Sequence, residues 1–481
     1  MFRILSLSIL LIACFSISCT RTIDKTPNQL AAEWQAKNPD IVSKLQEQAA
    51  GGGAAPQVLP SKPEDTDFLD NGIIKIGVNK GAGAAITYLA DKQRNQNLVN
   101  NYDLGRQIQT SLYSGPVPFS QNGKSPNPAW TNAGWNPVQA GDTYGNWSKT
   151  LEFKNDGKQI YSKAIPMQWA LNGELCDCIY ENWISLENNT VKVRSRLTNN
   201  RLDRSRYNAH FQELPAVILN SFLYKIYTYS GTNPFQNEAV STINNQDVAN
   251  QFPALENWVA LVGDDNWGVG VWKPDTYRFV AGFFGKPKSG GETEYGTSYM
   301  APVQNEILDH NIVYEFDYTL ILGQLDDIRA YVYKNTNNQQ RLPNYRFEKD
   351  RQHFYYTDKT TDAGLPNGEL NINLDQPLTE LYGPYCQFKA TDVPKIYITA
   401  AYQTNQTTGR LYWYKDPRSL AFVPAASITY PIIADGQYHT YELDLSKHSE
   451  WNGNIFRLML APIDRQTGGN FKIKSITYLK N

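Results

Sequence analysis

The sequence predicts an all-β protein of antiparallel sheets in two successive β-domains, and three observations carry the prediction. From Gly72 onward, run after run alternates apolar and polar residues between Gly, Asn, Asp or Pro, as antiparallel strands do. Aromatic residues make up 12% of the chain, with 30 Tyr and 11 Trp against 4 Met, alongside 33 Gly and 26 Pro, a mixture that favours strands and turns over helical bundles. At 481 residues the chain is long enough for more than one domain, and a polar break near residue 340 divides its strand runs.

The N-terminus, MFRILSLSILLIACFSISC, has a positive Arg3 and an apolar run over residues 4–17, too short to span a bilayer and suited to a secretory signal. Leu11, Ile12, Ala13 and Cys14 match a bacterial lipobox in composition but leave a very short signal. Ser16, Ile17, Ser18 and Cys19 give a more usual length with a poorer first position. Residues 1–19 are therefore expected to be a lipoprotein signal and Cys19 a lipid anchor, holding the chain in the cell envelope at the outer membrane. Residues 20–70 read as a tether. It has helix formers over 26–50, interrupted by a Pro, then a Gly- and Pro-rich linker over 51–70.

Residues 71–334 hold the first β-domain. Its strands include GIIKIGV, GAAITYLA, WSKTLEFK, CDCIYENWISL, TVKVRSRLTNN, RFVAGFF and YEFDYTLIL. The clearest hairpin is ENWVALVGDDNWGVGVW, which turns at Gly263, Asp264, Asp265 and Asn266. Turn chemistry accounts for both aspartates, so no metal is expected there. DDIRAYVYKN is a short helix, residues 335–343 a linker, and 344–481 a second β-domain with short strands such as IYITAAY, GRLYWYK and FKIKSITYL. In GRLYWYK, Tyr412 and Tyr414 share one face and Trp413 takes the other, a pattern for core packing.

Charge and cysteines narrow the function. Lys and Arg total 45 against 47 Asp and Glu, a net charge of −2, which offers no basic field for a nucleic acid. Apart from Cys14 and Cys19, the chain has only Cys176, Cys178 and Cys386, too few for a disulfide framework. Cys176 and Cys178, as strand neighbours two apart, are poorly placed to bridge and lack a nearby His for metal binding. They are expected as small buried residues, and no metal or cofactor is expected.

Candidate site residues begin in NLVNNYDLGRQIQTSLYSGP, residues 97–116, expected as a loop on the sheet rim. Asp103 and Arg106 read equally as a local ion pair or as part of a binding wall. In the second reading, the planar fork of Arg106 suits a uronate carboxylate or a sulfate, Gln107, Gln109 and Asn101 suit hydroxyls, and Tyr102 or Tyr113 offers a stacking face. A second rim, WTNAGWNPVQAGDTYGNW, adds Trp130, Trp135, Asn136, Gln139 and Asp142. Glu181, Glu213 and Glu256 sit among aromatic or apolar neighbours, where burial raises a carboxyl toward general-acid use. A glycosidase of the usual kind needs two such carboxyls across the scissile bond. A lyase needs a base and a neutraliser of the uronate carboxylate, for which His210 or Tyr102 with Arg106 are the candidates.

The run NNTVKVRSRLTNNRLDRSRYNAHFQELPAV resembles the segment of galactose mutarotase-like domains in which a strand ends in an Asn-containing turn and leads to a site His, and GAGAAITYLADKQRNQNLVNN resembles that family's early hairpin. The resemblance implies a large two-sheet β-sandwich, a supersandwich, whose concave face binds sugars, with His210 at the family's His and Glu213 just beyond. The spacing around His210 differs and the family's distal catalytic Glu has no clear equivalent, so simple mutarotation is not implied. DGQYHTYELDLSKHSEWNGNIFRLMLAPIDRQTGGNFKIKSITYL likewise resembles the end of jelly-roll, carbohydrate-binding-like modules, with His439 and Trp451 at structural positions. The expected partner is a polysaccharide or oligosaccharide, with the membrane reached through the lipid anchor. Two readings stand: an enzyme that cleaves a complex, acidic polysaccharide as hydrolase or lyase, and a non-catalytic surface glycan-binding lipoprotein.

Overall fold

The computed structural model describes residues 65–481 except 245–247, 249, 337–339, 357–359, 363, 365–367, 377–378, 420–421, 464–466 and 481. The signal, Cys19 and the helix formers over 26–50 lie outside the described residues. The linker expected over 51–70 ends in structure, because Thr66–Asp70 is a strand paired antiparallel with Ile74–Asn79. Its Leu69 is buried in the core beside Ile76, a contact that a linker composition does not reveal.

The larger sandwich stacks two sheets. One runs in spatial order Thr66–Asp70, Ile74–Asn79, Ala85–Asp91, Ile108–Ser111, His210–Asn220, Thr297–Glu306, Arg278–Phe284 and Gln251–Pro253, with Pro137–Val138 and Met167–Gln168 alongside. The other runs Ser241–Thr242, Lys225–Thr228, Trp258–Val262, Trp267–Trp272, Val313–Gln324, Thr190–Asn199, Cys178–Glu187, Gln159–Ile165 and Lys149–Asn155. Alternate residues of each strand point inward. Ile76, Leu89, Val217, Leu219, Phe279 and Met300 from the first sheet meet Ile184, Val193, Leu261, Val269, Phe316 and Leu320 from the second.

The Leu325–Asn335 helix lies on the outer face of the second sheet, where Leu325, Ile328 and Val332 cover Trp258, Ala260 and Ile321. Asp326 and Asp327 in its first turn and Lys334 in its last complement the helix dipole.

Two sequence expectations need correction. Ile108–Ser111 is a buried strand between neighbours of the first sheet, so residues 97–116 are not wholly a rim loop. Ile108 faces the core, while Gln109 and Ser111 face away from it. Cys176 and Cys178 are joined by a disulfide. The objection to a bridge assumed a regular strand through both residues, but the strand begins at Cys178. A bend at Asp177 brings the two Cα atoms to 5.1 Å.

The second domain packs a five-stranded sheet (Asn344–Arg346, Leu370–Asn373, Lys395–Gln403, Tyr438–Asp444, Asn470–Thr477) against a four-stranded one (Leu381–Lys389, Thr408–Tyr414, Ser427–Pro431, Asn454–Ala461). Trp413 is in its core, together with Leu411, Leu458 and Ile473.

The two domains share a polar and aromatic junction. Arg351 donates to both Asp309 oxygens at 2.7 and 2.9 Å in the first domain and to both Asp362 oxygens at 3.2 and 3.1 Å in the second. His353 meets Glu306 at 2.9 Å, and that carboxylate raises the imidazole pKa to about 9 against the opposing effect of burial. Tyr229, Leu255 and Tyr277 pack on Phe456 and Tyr385, and Arg278 donates to the Arg418 carbonyl at 2.7 Å.

Candidate functional site

The outer face of the first sheet, turned away from the sandwich core, carries Glu213, the one glutamate among the described residues whose carboxyl burial holds near neutrality. Glu213 lies opposite Ser111 on one side and Val303 on the other. Leu214 turns into the core, and after a register shift between Glu213 and Val217 so do Val217 and Leu219. Ala216, Ile218, Val280, Tyr299, Ala301 and Val303 gather on the outer face with Phe284 and Val248. Glu213 stands at the edge of this apolar patch, half-buried.

Both of its oxygens are held by tyrosines. Tyr299 donates to Oε1 at 2.7 Å and Tyr113 to Oε2 at 3.3 Å. Burial lifts the Glu213 pKa from 4.5 to about 7, and the two hydroxyls only partly offset it because they stabilise the ionised form. Behind Tyr113 the hydroxyl of Ser111 lies at 3.3 Å, and Asn136 Nδ2 donates to the same Ser111 oxygen at 3.3 Å and to the Leu112 carbonyl at 2.8 Å. A line of side chains thus runs from Asn136 through Ser111 and Tyr113 to the carboxyl. Such a group can take and return a proton near neutral pH.

The other glutamates stand elsewhere. Glu181 is on the outer face of the second sheet, accepting from Tyr161 at 2.8 Å and near Arg196 at 3.4 Å. Glu256 is 0% exposed and ties the helix to that sheet. It accepts from Arg329 at 2.9 and 2.8 Å, from Trp258 Nε1 at 3.0 Å, from Tyr333 at 2.6 Å and from the Phe235 amide at 2.9 Å. Burial would raise its pKa, but these donors outweigh it and the carboxyl titrates below its usual value. Glu256 sits in the turn between Gln251–Pro253 and Trp258–Val262, and the structure gives it Arg329, Trp258, Tyr333 and the Phe235 amide as partners, none of them shared with Glu213. Glu256→Ala is expected to cost about 2–4 kcal/mol by stranding Arg329, read from urea unfolding, and to leave glycan binding unchanged. Lost binding with an unaltered unfolding midpoint would return Glu256 to the site.

His210 lies three residues before Glu213 on a regular stretch of strand, so it projects to the opposite face, across from Glu306. Burial lowers its pKa. The remaining sequence candidates brace the loops around the sheet. Arg106 Nε lies 3.6 Å from Asp103, its Nη1 donates to Thr297 at 2.8 Å, and its guanidinium rests over Phe284 and Tyr295. Burial raises the Asp103 pKa against the pull of Arg106. Gln107 donates to the Asp103 carbonyl, Gln109 to Leu104, and Gln139 to Gly83 while accepting from the Thr110 amide. Trp135 is 1% exposed in the core. The residues expected as a binding wall are thus bonded within the protein: Gln107 and Gln139 satisfy loop backbone carbonyls, Arg106 meets Asp103 and Thr297, and Trp135 packs in the core.

Tyr299 was not singled out in the sequence, nor were Phe211, Asn305, Tyr355, Tyr382 and Arg457 near the domain junction. Tyr299 reaches Glu213 only through the pairing of Thr297–Glu306 with His210–Asn220, which no local pattern encodes.

No family model and no curated protein matches the chain. Among solved structures it is similar to a galactose mutarotase-related enzyme from Lactobacillus acidophilus, at 11% identity and TM-score 0.35, over 53% of this chain and 97% of that one. A galactose mutarotase-like protein from Lactobacillus casei ATCC 334 gives 11% identity and TM-score 0.33, over 53% and 99%. A 4-alpha-glucanotransferase from Thermococcus litoralis gives 11% and 0.30, over 54% of this chain and 37% of that one.

Proposed function

We propose that this chain is a carbohydrate-processing protein that binds a glycan on the outer face of its first sheet and moves a proton there through Glu213. The observation that carries this reading is a half-buried carboxyl with both oxygens held by tyrosine hydroxyls, backed by Ser111 and Asn136. Glu181 and Glu256 stand apart from it, so the arrangement favours a single acid–base pair over hydrolysis between two carboxyls. On a uronate polymer, carboxylate Glu213 takes the proton next to the sugar carboxylate. The glycosidic C–O bond breaks as a C=C bond forms, and the Tyr113 hydroxyl protonates the departing oxygen. The tyrosine regains its proton from Glu213, and no water is consumed. Residues 1–19 and a lipidated Cys19 hold the protein in the cell envelope in this proposal.

The test uses the full chain with neutral, uronate-containing and sulfated polysaccharides, scoring unsaturated products and new reducing ends separately. Unsaturated products that disappear in Glu213→Gln are the expected result. Saturated reducing ends that survive Glu213→Gln would overturn the mechanism. The separation of Glu213 from the other two glutamates also suits a non-catalytic glycan binder. Retention of a polysaccharide in an affinity gel with no cleavage would establish that alternative.

A further inference from the structure

Where the outer face of the first sheet meets the second domain, Arg457 stands among tyrosine rings and, among the described residues, in no salt bridge. Arg457, on the Asn454–Ala461 strand, donates through Nε to the Gly383 carbonyl at 2.6 Å. Its guanidinium lies 5.1, 5.5 and 5.1 Å from the ring centres of Tyr355, Tyr382 and Tyr385. Arg106, Arg206, Arg329 and Arg351 each meet a carboxylate, whereas among the described residues no carboxylate forms a salt bridge with Arg457. A half-buried cation without a carboxylate is costly. Tyrosine rings repay part of that cost, and the fork of the guanidinium remains suited to a planar or tetrahedral anion.

The surroundings continue the Glu213 site. Tyr355 and Tyr382 stack with centres 5.3 Å apart and planes inclined by 14°. The Tyr355 hydroxyl accepts from Asn305 Nδ2 at 3.2 Å. Asn305 pairs across the sheet with Phe211, which is 41% exposed and two residues from Glu213 on the same face. Aromatic faces, an amide and a cation thus follow one another from the carboxyl to the second domain, the groups that contact sugar C–H faces, hydroxyls and acidic substituents.

We infer that Arg457, framed by Tyr355 and Tyr382, is the receptor for an acidic group, carboxylate or sulfate, on a sugar of the same glycan chain that reaches Glu213, so that both domains bind one chain. This rests on the proposed function for the placement of the glycan at Glu213. It moves the acid-reading role from Arg106, which Asp103 occupies, to Arg457.

Binding is measured calorimetrically on the full chain carrying Glu213→Gln, so that no turnover is needed. The probes are uronate oligosaccharides, the same oligosaccharides with their carboxyls reduced to alcohols, and sulfated oligosaccharides of equal length. The acidic forms are expected to bind at least about tenfold tighter than the reduced ones, since charge-assisted bidentate contacts are the strong class. Arg457→Gln should bring the difference to within about twofold while binding of the reduced form stays unchanged. Tyr382→Ala should weaken long oligosaccharides more than disaccharides. Arg457→Lys, which keeps the charge without the fork, should retain part of the preference and serves if Arg457→Gln does not fold. Whichever arm depends on Arg457, carboxylate or sulfate, names the group. A preference that persists in folded Arg457→Gln, or no acidic preference with any probe, overturns the inference. An Arg457-dependent preference in a protein that never turns a glycan over would sink the proton-transfer reading alone.

Discussion

Glu213→Gln is expected to lower turnover by about 10²- to 10⁴-fold, the range for losing a positioned acid–base group, and at the same time to stabilise the fold above neutrality. The second effect follows from the raised pKa. Folded Glu213 binds its proton up to about pH 7, while in the unfolded chain it releases it near 4.5. Between those values the folded state holds more protons, so stability falls as pH rises and reaches its full deficit above the folded pKa. The shift corresponds to at most about 3 kcal/mol. Gln keeps the shape and cannot ionise. Urea unfolding of wild type and variant across this pH window checks it, with near-equal midpoints below about pH 4.5 and a more stable variant at about pH 8. A constant gap at every pH would show that Glu213 does not titrate as its burial dictates.

Arg351→Met is expected to destabilise the chain by about 3–5 kcal/mol, the usual effect of removing one partner from a buried ion cluster. The Arg351 side chain is 3% exposed and that of Asp362 beneath it 1%. Without the guanidinium, Asp362 keeps Arg206, whose Nε lies at 3.4 Å, and the Gly364 amide at 2.7 Å, and Asp309 loses its two-pronged contact. Because Arg351 joins Asp309 of one domain to Asp362 of the other, unfolding should also split into two transitions. Replacing all three residues by apolar ones of similar size is the contrasting case, expected to be close to neutral in stability. An unchanged midpoint with a single transition for Arg351→Met would mean that the Tyr277, Tyr385 and Phe456 cluster holds the domains alone.

Much of this architecture was legible in the sequence. The alternation in TVKVRSRLTNN and at the start of YEFDYTLIL specified strands with one buried face, while WVALV, apolar throughout, is buried on both, and each is a strand of the second sheet. The Asp264 and Asp265 turn and the Leu325–Asn335 helix also followed from local chemistry, since turn residues and helix periodicity act within a few positions. Thr66–Asp70 was hidden by its neighbours, because a short edge strand after a Gly- and Pro-rich stretch carries little pattern of its own.

Burial and its partners belonged to the tertiary structure. Glu213, Glu181 and Glu256 look alike in sequence, each beside aromatic or apolar residues. Only strand pairing put Glu213 between Tyr113 and Tyr299, some 100 and 86 residues away, and gave Glu256 to Arg329. Arg106 and Arg457 are equally cationic on paper. Asp103 three residues away neutralises the first, while the second sits among three tyrosine rings gathered from distant parts of the second domain. Composition and periodicity determined that this chain makes two β-sandwiches, because those signals are local. Which carboxyl is lifted toward neutrality and which cation lacks a carboxylate was decided by long-range packing, because desolvation and pairing depend on everything within a few ångströms, wherever it lies in the chain.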